Sequence, residues 1–442
     1  MLLGKRRFLP LFITQFFGAM NDNVLRNAFV VLLTFHAASW TTLKPGMLAN
    51  LATGIFILPL FLFSATAGHL ADKFDKARLA RLFKLFGIGV MLVAGVGLWL
   101  HSVPLLMVAL FLQGLNSALF GPIKYAILPQ HLKERELVGG NALIAAGSFV
   151  AILLGTLLGT LLAGGTNASR ATGATGTIAL AGLGIAVAGY LASRAIPAAP
   201  PPAPDLKISL NPFGETWRSV NFARENRTVF LSILGISWFW TYGAMFLTQF
   251  PAYAKNVIGG DESAVTLLLV TFTLGIGVGS LLCERLSAGR VEVGLVPLGS
   301  IGLTLFALDL ALASPGGPAG AVPLGAIALL ALPGIWRVLA DLALLGAFGG
   351  LFIVPLYALI QQRSSVEHRA RTIGANNVFN ALFMVGGALA AAGMLEYGLT
   401  IPTLFAVAAL CNAAIAASIC FLMPEFPMAL RGLLGRRLVT RQ

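Results

Sequence analysis

The chain alternates long apolar runs with short polar breaks, and run length decides what each can be. A helix needs roughly 20 predominantly apolar residues to cross a bilayer. About twelve stretches qualify, near 8–35, 47–71, 80–100, 104–124, 139–163, 174–195, 229–253, 264–284, 293–313, 338–361, 373–395 and 400–423. They are too long and too uniformly apolar for barrel strands, which alternate every second residue. Helices satisfy their own backbone in hydrocarbon, so the pattern predicts an all-α integral membrane protein.

The rhythm breaks between Ala195 and Arg227. The break opens with "IPAAPPPAP", a stiff extended linker, and continues through a polar, charged stretch. Six spans precede it and six follow. The expected divisions are a six-helix half over 1–195, a cytoplasmic central linker over 196–227, a second half over 228–424 and a basic cytoplasmic tail over 425–442. The halves echo each other. Tyr125-Ala-Ile-Leu-Pro-Gln130 recurs as Tyr357-Ala-Leu-Ile-Gln-Gln362, each after a proline (Pro122, Pro355) at the end of the fourth span of its half. "GGNAL" at Gly139 answers "GANNV" at Gly374. A weak repeat between two six-span halves resembles the major facilitator fold: 12 transmembrane helices and a midplane site between the halves.

Composition agrees: 57% of residues are hydrophobic, 11% are charged, and mean hydropathy is +0.86. A soluble domain needs a more charged surface. The net charge of +13 could suggest nucleic acid, but its distribution excludes that. Lys5, Arg6, Arg7, Lys73, Lys76, Arg78, Arg81, Lys84, Lys133, Arg135, the linker, Arg285, Arg290, Arg363, Arg369, Arg371 and the tail fall on one side; Lys44, Arg170, Lys255 and Arg337 fall on the other. That asymmetry is the positive-inside rule, and it puts both termini in the cytoplasm. The excess charge then attracts anionic membrane lipid. No cleavable signal is expected, because the first apolar stretch is too long and lacks a small-residue cleavage site. Cys283, Cys411 and Cys420 lack metal spacing and read as packing residues; no disulfide, metal or cofactor is expected.

The first span carries polar residues in its middle, in "QFFGAMNDNVLRNA". Asp22 and Arg26 are four apart, as are Asn23 and Asn27, so each pair shares a helix face. Charges in hydrocarbon are costly and mark a substrate or ion path by default. Arg26 either binds an anionic group or only neutralises Asp22. In "GPIKYAILP", Lys124 either faces the same cavity or snorkels to the interface. The loop "GHLADKFDKARL" holds Gly68, Asp72, Lys73, Lys76 and Arg78 in the spacing of the major facilitator loop signature, with Asp75 where a glycine is usual. Gly68 permits close helix approach, and Asp72 can accept from a cation or a helix N-terminus, as a gating latch would. Its second-half counterpart, "GSLLCERLSAGR", offers Glu284 and Arg285 in a shifted register. Gly155, Gly159, Gly275, Gly277 and Gly279 read as helix-contact residues, and Arg337 with Asp341 as a structural pair.

"QFFGAMNDNVLRNA", "FGPIKYAILPQHLKERELVGGNALIAAGSFVAILLG" and "PLYALIQQRSSVEHRARTIGANNVFNALF" resemble the lysophospholipid transporter family of the major facilitator superfamily. They also resemble the transporter domain of transporter–acyltransferase–ligase fusions. The resemblance covers most of the chain and implies a bacterial inner-membrane flippase. It would bring lysophospholipids, chiefly lysophosphatidylethanolamine, to the cytoplasmic leaflet for re-acylation. The implied partners are the lysophospholipid, membrane lipids and a separate cytoplasmic acyltransferase–ligase, with the transporter a monomer. The family's first-span acid and amide fall on Asp22 and Asn23, and its fourth-span lysine on Lys124. Stand-alone members carry a seventh-span arginine; "SWFWTYGAMFLTQFPAYAK" here offers Tyr242, Thr248 and Gln249 before Lys255.

The expected site places the lipid phosphodiester on Lys124 with Arg26 as a secondary contact, and the ammonium on Asp22. Asn23, Asn27, Asn376, Asn377 and Asn380 supply hydrogen bonds, and Tyr125, Tyr242 and Gln249 complete the lining. The rival readings are a proton-coupled exporter of drugs, siderophores or other small solutes, with Asp22 as its protonatable carboxyl, and a non-transporting membrane scaffold. An enzyme is not expected: no histidine has an aspartate five positions on, and phosphate-loop, zinc and Gly-x-Ser-x-Gly patterns are missing.

Overall fold

The computed structural model describes residues 2–40, 45–163, 168–208, 211–314 and 323–439. Lys44 lies outside the described residues, as do the side chains of Arg170, Arg436 and Arg437 and all of Arg441. The long helices of the first part are α1 (Leu9–Trp40), α2 (Pro45–Lys73), α3 (Lys76–Trp99), α4 (Val103–Ala126), α5 (Leu137–Ala163) and α6 (Ala168–Arg194), followed by the shorter α7 (Pro212–Glu225). Then come α8 (Arg227–Tyr253), α9 (Glu262–Ser287), α10 (Leu295–Ala313), α11 (Ile335–Arg363), α12 (Arg369–Glu396), α13 (Ile401–Leu422) and α14 (Glu425–Val439). Among the described residues, eleven of these (α2–α6 and α8–α13) are long and apolar enough to cross a membrane. The 32-residue α1, with its polar middle, is the twelfth long helix.

Local chemistry sets the helix starts. Asp75 caps α3, accepting from the Arg78 N–H at 2.8 Å, and Ser102 caps α4 ahead of Pro104. Asn211 accepts from the amides of Phe213 and Gly214 ahead of α7. Such caps satisfy amides that the first turn leaves without partners.

The described residues form two compact units. One comprises those up to Lys133 together with Val150–Asn226 and Arg363–Ala381; the other holds Glu134–Phe149, Arg227–Gln362 and the described residues from Leu382 on. In the first, α2 packs on α4, α3 on α4 and α6, and α1 on α6. Glycines permit the closest crossings: a Cβ on Gly155 or Gly159 of α5 would strike the Met20 or Val24 carbonyl of α1. In the second unit, Gly275 and Gly279 of α9 lie against the Ala343 and Ala347 carbonyls of α11, whereas Gly277 faces open space.

The proline-rich segment is a strap tied across helix ends. Prolines offer carbonyls without N–H groups, so the donors come from outside the strap. The Lys76 amide donates to the Ala199 carbonyl at 3.0 Å, Arg81 to Ile196 at 3.1 Å and Gln130 to Pro200 at 3.0 Å. Asp75 accepts in return from the Ala199 amide at 2.9 Å. The carboxylate that stands in the glycine position of the loop signature therefore both caps α3 and anchors the strap.

Lys76 and Lys84, which the charge count puts on the cytoplasmic side, are buried side chains of α3, a helix that starts at Lys76. One expectation is corrected: Arg337 pairs bidentately with Asp309 of α10, at 3.0 and 2.5 Å, rather than with Asp341.

Candidate functional site

The polar residues of α1 stay helical because each neighbour satisfies the next. Asn23 donates to the Ala19 carbonyl at 2.8 Å, and Asn27 donates to the Asn23 carbonyl at 2.8 Å and to Thr156 Oγ1 at 3.2 Å. Arg26 donates to Asn23 Oδ1 at 2.6 Å and lies over the Phe56 ring at 5.4 Å. Asp22 Oδ2 accepts from Ser117 Oγ of α4 at 2.5 Å. Asp22 and Arg26 act on each other electrostatically without a direct ion pair among the described residues.

Three cations act on the Asp22 carboxylate: Lys84, Arg26 and Lys124. Lys124 projects over the ring of buried Tyr125 at 4.9 Å. Lys84 arrives from α3, 6% exposed, with its ammonium 4.0 Å from the Phe120 ring centre. Neither ammonium has a hydrogen-bond acceptor among the described residues. Lys84 lies inside the 80–100 stretch, but next to Lys76, Arg78 and Arg81 it reads as one more topology-setting basic residue. The available signal was its spacing from Ala77, Ala80, Gly87 and Met91, the buried small-residue stripe of α3.

Beside this group lie buried amides. Gln113 donates to the Asn21 carbonyl at 3.3 Å. The side-chain oxygens of Asn21, Gln113 and Asn116 are buried without partners. Of the later asparagines, Asn377 reaches Gly121 of α4, one turn from Lys124. Asn376 is fully buried with neither amide atom partnered, and Asn380 is 9% exposed. All three belong to the same compact unit as Asp22 and Lys124.

Tyr242 and Gln249 lie in the other unit. Tyr242 is a packing residue there: its hydroxyl donates to the Leu303 carbonyl at 2.9 Å, and its ring packs 4.9 Å from Phe246. Gln249 is half-buried. Among the described residues, no group of three or more His, Cys, Asp or Glu side chains gathers as a metal would require.

The signature loop builds a second constellation. Asp72 is fully buried and accepts from the Ala370 and Arg371 amides, both at 3.2 Å, and from Arg371 Nε at 3.1 Å. A carboxylate at the start of α12 thus meets both the helix dipole and a guanidinium. Gly68 permits this approach, since a Cβ there would strike the Ala370 backbone. Arg371 also donates to the Glu367 carbonyl at 2.7 Å and lies over Phe222 of α7. The α7 helix is held in turn by Glu215, 2.5 Å from His69. Lys73 is half-buried over Phe74, and Arg78 is exposed. In the other unit Glu284 and Arg285 are exposed, with Glu284 beside Gly139. There Asn141 and Gln361 exchange reciprocal amide bonds at 2.7 and 3.0 Å.

The family described as Major Facilitator Superfamily matches residues 11–323. The chain is 27% identical over 389 residues to the lysophospholipid transporter LplT of Salmonella heidelberg strain SL476, covering 85% of this chain and 83% of that protein. It is 27% identical over 368 residues to the lysophospholipid transporter LplT of Photorhabdus laumondii, covering 81% of each. Among solved structures it is similar to the major facilitator transporter FucP in the outward conformation, with TM-score 0.71 and 14% identity over 95% of this chain and 99% of that one. It is also similar to the human organic anion transporter MFSD10, with TM-score 0.69 and 14% identity over 94% and 98%.

Proposed function

The chain belongs to the Major Facilitator Superfamily, and we propose that within it this protein is a lysophospholipid transporter of the bacterial inner membrane. It moves lysophosphatidylethanolamine to the cytoplasmic leaflet by alternating access of two six-helix halves joined by the 196–227 linker. The relatives named lysophospholipid transporter, matched along more than four fifths of the chain, support this reading. The observation that carries it is Asp22 with two lysines that have no acceptor, inside apolar helices. A zwitterionic head needs both signs: a carboxylate for the ammonium and cations for the phosphodiester. Asn23, Asn27, Asn376, Asn377 and Asn380 flank that head, and the unpartnered oxygens of Asn21, Gln113 and Asn116 await donors. Tyr125 supports Lys124. The Asp72–Arg371 latch holds one of the two access states, with Gly68, Lys73 and Arg78 around it in the first unit; Glu284 and Arg285 are the gating residues of the second. The lipid is handed, chemically unchanged, to a separate cytoplasmic acyltransferase–ligase.

The test is flipping of labelled lysophosphatidylethanolamine in liposomes containing only this protein. Wild type is expected to flip it. Asp22→Ala and Lys124→Ala should each bring flipping to background without reducing membrane insertion. Wild-type flux in both variants would remove the site, and no flux in wild type would remove the function.

A further inference from the structure

Two lysines that repel each other and lack acceptors are an unfinished arrangement. Lys84 and Lys124 approach from α3 and α4; Lys84 acts on Lys124, and both interact with Asp22. Asp22 is a single carboxylate already bonded to Ser117. Arg26 differs from the lysines, because Asn23 and Phe56 already hold its guanidinium. The charges facing this point from α1, α3 and α4 are therefore one acid and three cations, of which two are uncommitted. Unpaired charge among apolar helices is costly, so the arrangement calls for an anion.

Resting on the transport reading above, we propose that Lys84 and Lys124 form a two-lysine clamp on the substrate phosphate, with Lys84 setting its affinity and Arg26 outside the clamp. Phe120 supports this role: a ring face 4.0 Å from the ammonium steadies a cation without occupying its donors. A lysine ammonium has three donors and binds phosphate as a compact point charge. Lys124 lies one turn from Phe120 on α4, so the ring and the second lysine flank the same space. Gly18 of α1 closes the other side, with the Lys84 ammonium in the place a Cβ would take. That glycine keeps Lys84 in position, and only the flexible tip of the lysine would yield to a methyl group.

The experiment measures lysophosphatidylethanolamine flux in proteoliposomes and equilibrium binding to the purified full-length protein. Lys84→Gln removes a charge-assisted contact, so the half-saturating concentration and Kd should rise about tenfold or more. Gly18→Ala keeps the charge but displaces it, and should raise both constants several-fold. A packing role for Lys84 would instead lower the amount of active protein at unchanged affinity. Unchanged half-saturation and Kd in Gly18→Ala, and in Lys84→Gln where it inserts, would overturn the clamp. If wild type flips and binds the lipid while these variants match it, only the clamp falls. If wild type does neither, the transport reading falls with it.

Discussion

Asp22 and Arg26 lie one turn apart on α1 yet hold different partners, Ser117 for the acid and Asn23 for the base. Their spacing alone suggests a self-neutralising pair, but the side-chain geometry separates their roles. If they served only to cancel each other, removing both charges would restore what removing one destroys. The expected outcome is the reverse. Asp22→Asn combined with Arg26→Gln should flip labelled lysolipid no faster than the slower single variant. Initial rates in proteoliposomes, normalised to inserted protein, check this; recovery in the double variant would show a structural pair. Asp22, Asn23, Arg26 and Lys124 stood out in the sequence because polar residues interrupt apolar runs. Lys84 did not, because a basic residue near a span boundary looks like topology.

At the scale of elements, the signature loop works through one helix end. Asp72 takes two backbone N–H groups and the Arg371 guanidinium where α12 begins, and Gly68 lets α2 approach that close. Breaking a buried charge pair by deleting one partner costs about 3–5 kcal/mol. Asp72→Ala should therefore lower the thermal midpoint in detergent and the flux together. Asp72→Asn, which retains an acceptor, should do so less. Gly68→Val should match the alanine variant through collision with the Ala370 backbone, although it leaves every charge in place. If flux and midpoint stay at wild-type values in Gly68→Val, the close crossing is unimportant. The motif was legible in the sequence, but its partner was not. Asp72 and Arg371 are 299 residues apart, and nothing local to either names the other. The same holds for the strap: "IPAAPPPAP" reads as stiff, while the donors that tie it down come from α3 and from Gln130, just past α4.

For the whole molecule, orientation follows from the placement of basic residues, and single cysteines test it in a background lacking Cys283, Cys411 and Cys420. A cysteine at exposed Arg78, in the first turn of α3, should react with an impermeant thiol reagent only from the cytoplasmic side. One at Tyr397, 89% exposed between α12 and α13, should react only from the opposite side. Labelling of both from one side would refute the odd number of spans between them. The sequence by itself determined the spanning helices and the first-span polar patch, because span length and helical spacing are local properties, and its charge asymmetry gives the orientation that the labelling tests. It set helix starts less sharply, since Asp75 begins α3 at Lys76 and carries Lys84 two turns inward. Tertiary structure alone decided which polar groups meet: Lys84 with Asp22 and Lys124, Asp72 with Arg371, Asn141 with Gln361. The physical reason is rotation about the helix axis. Close crossings at glycines such as Gly155 and Gly68 fix which face of each helix turns inward, and only that choice brings distant side chains to one point.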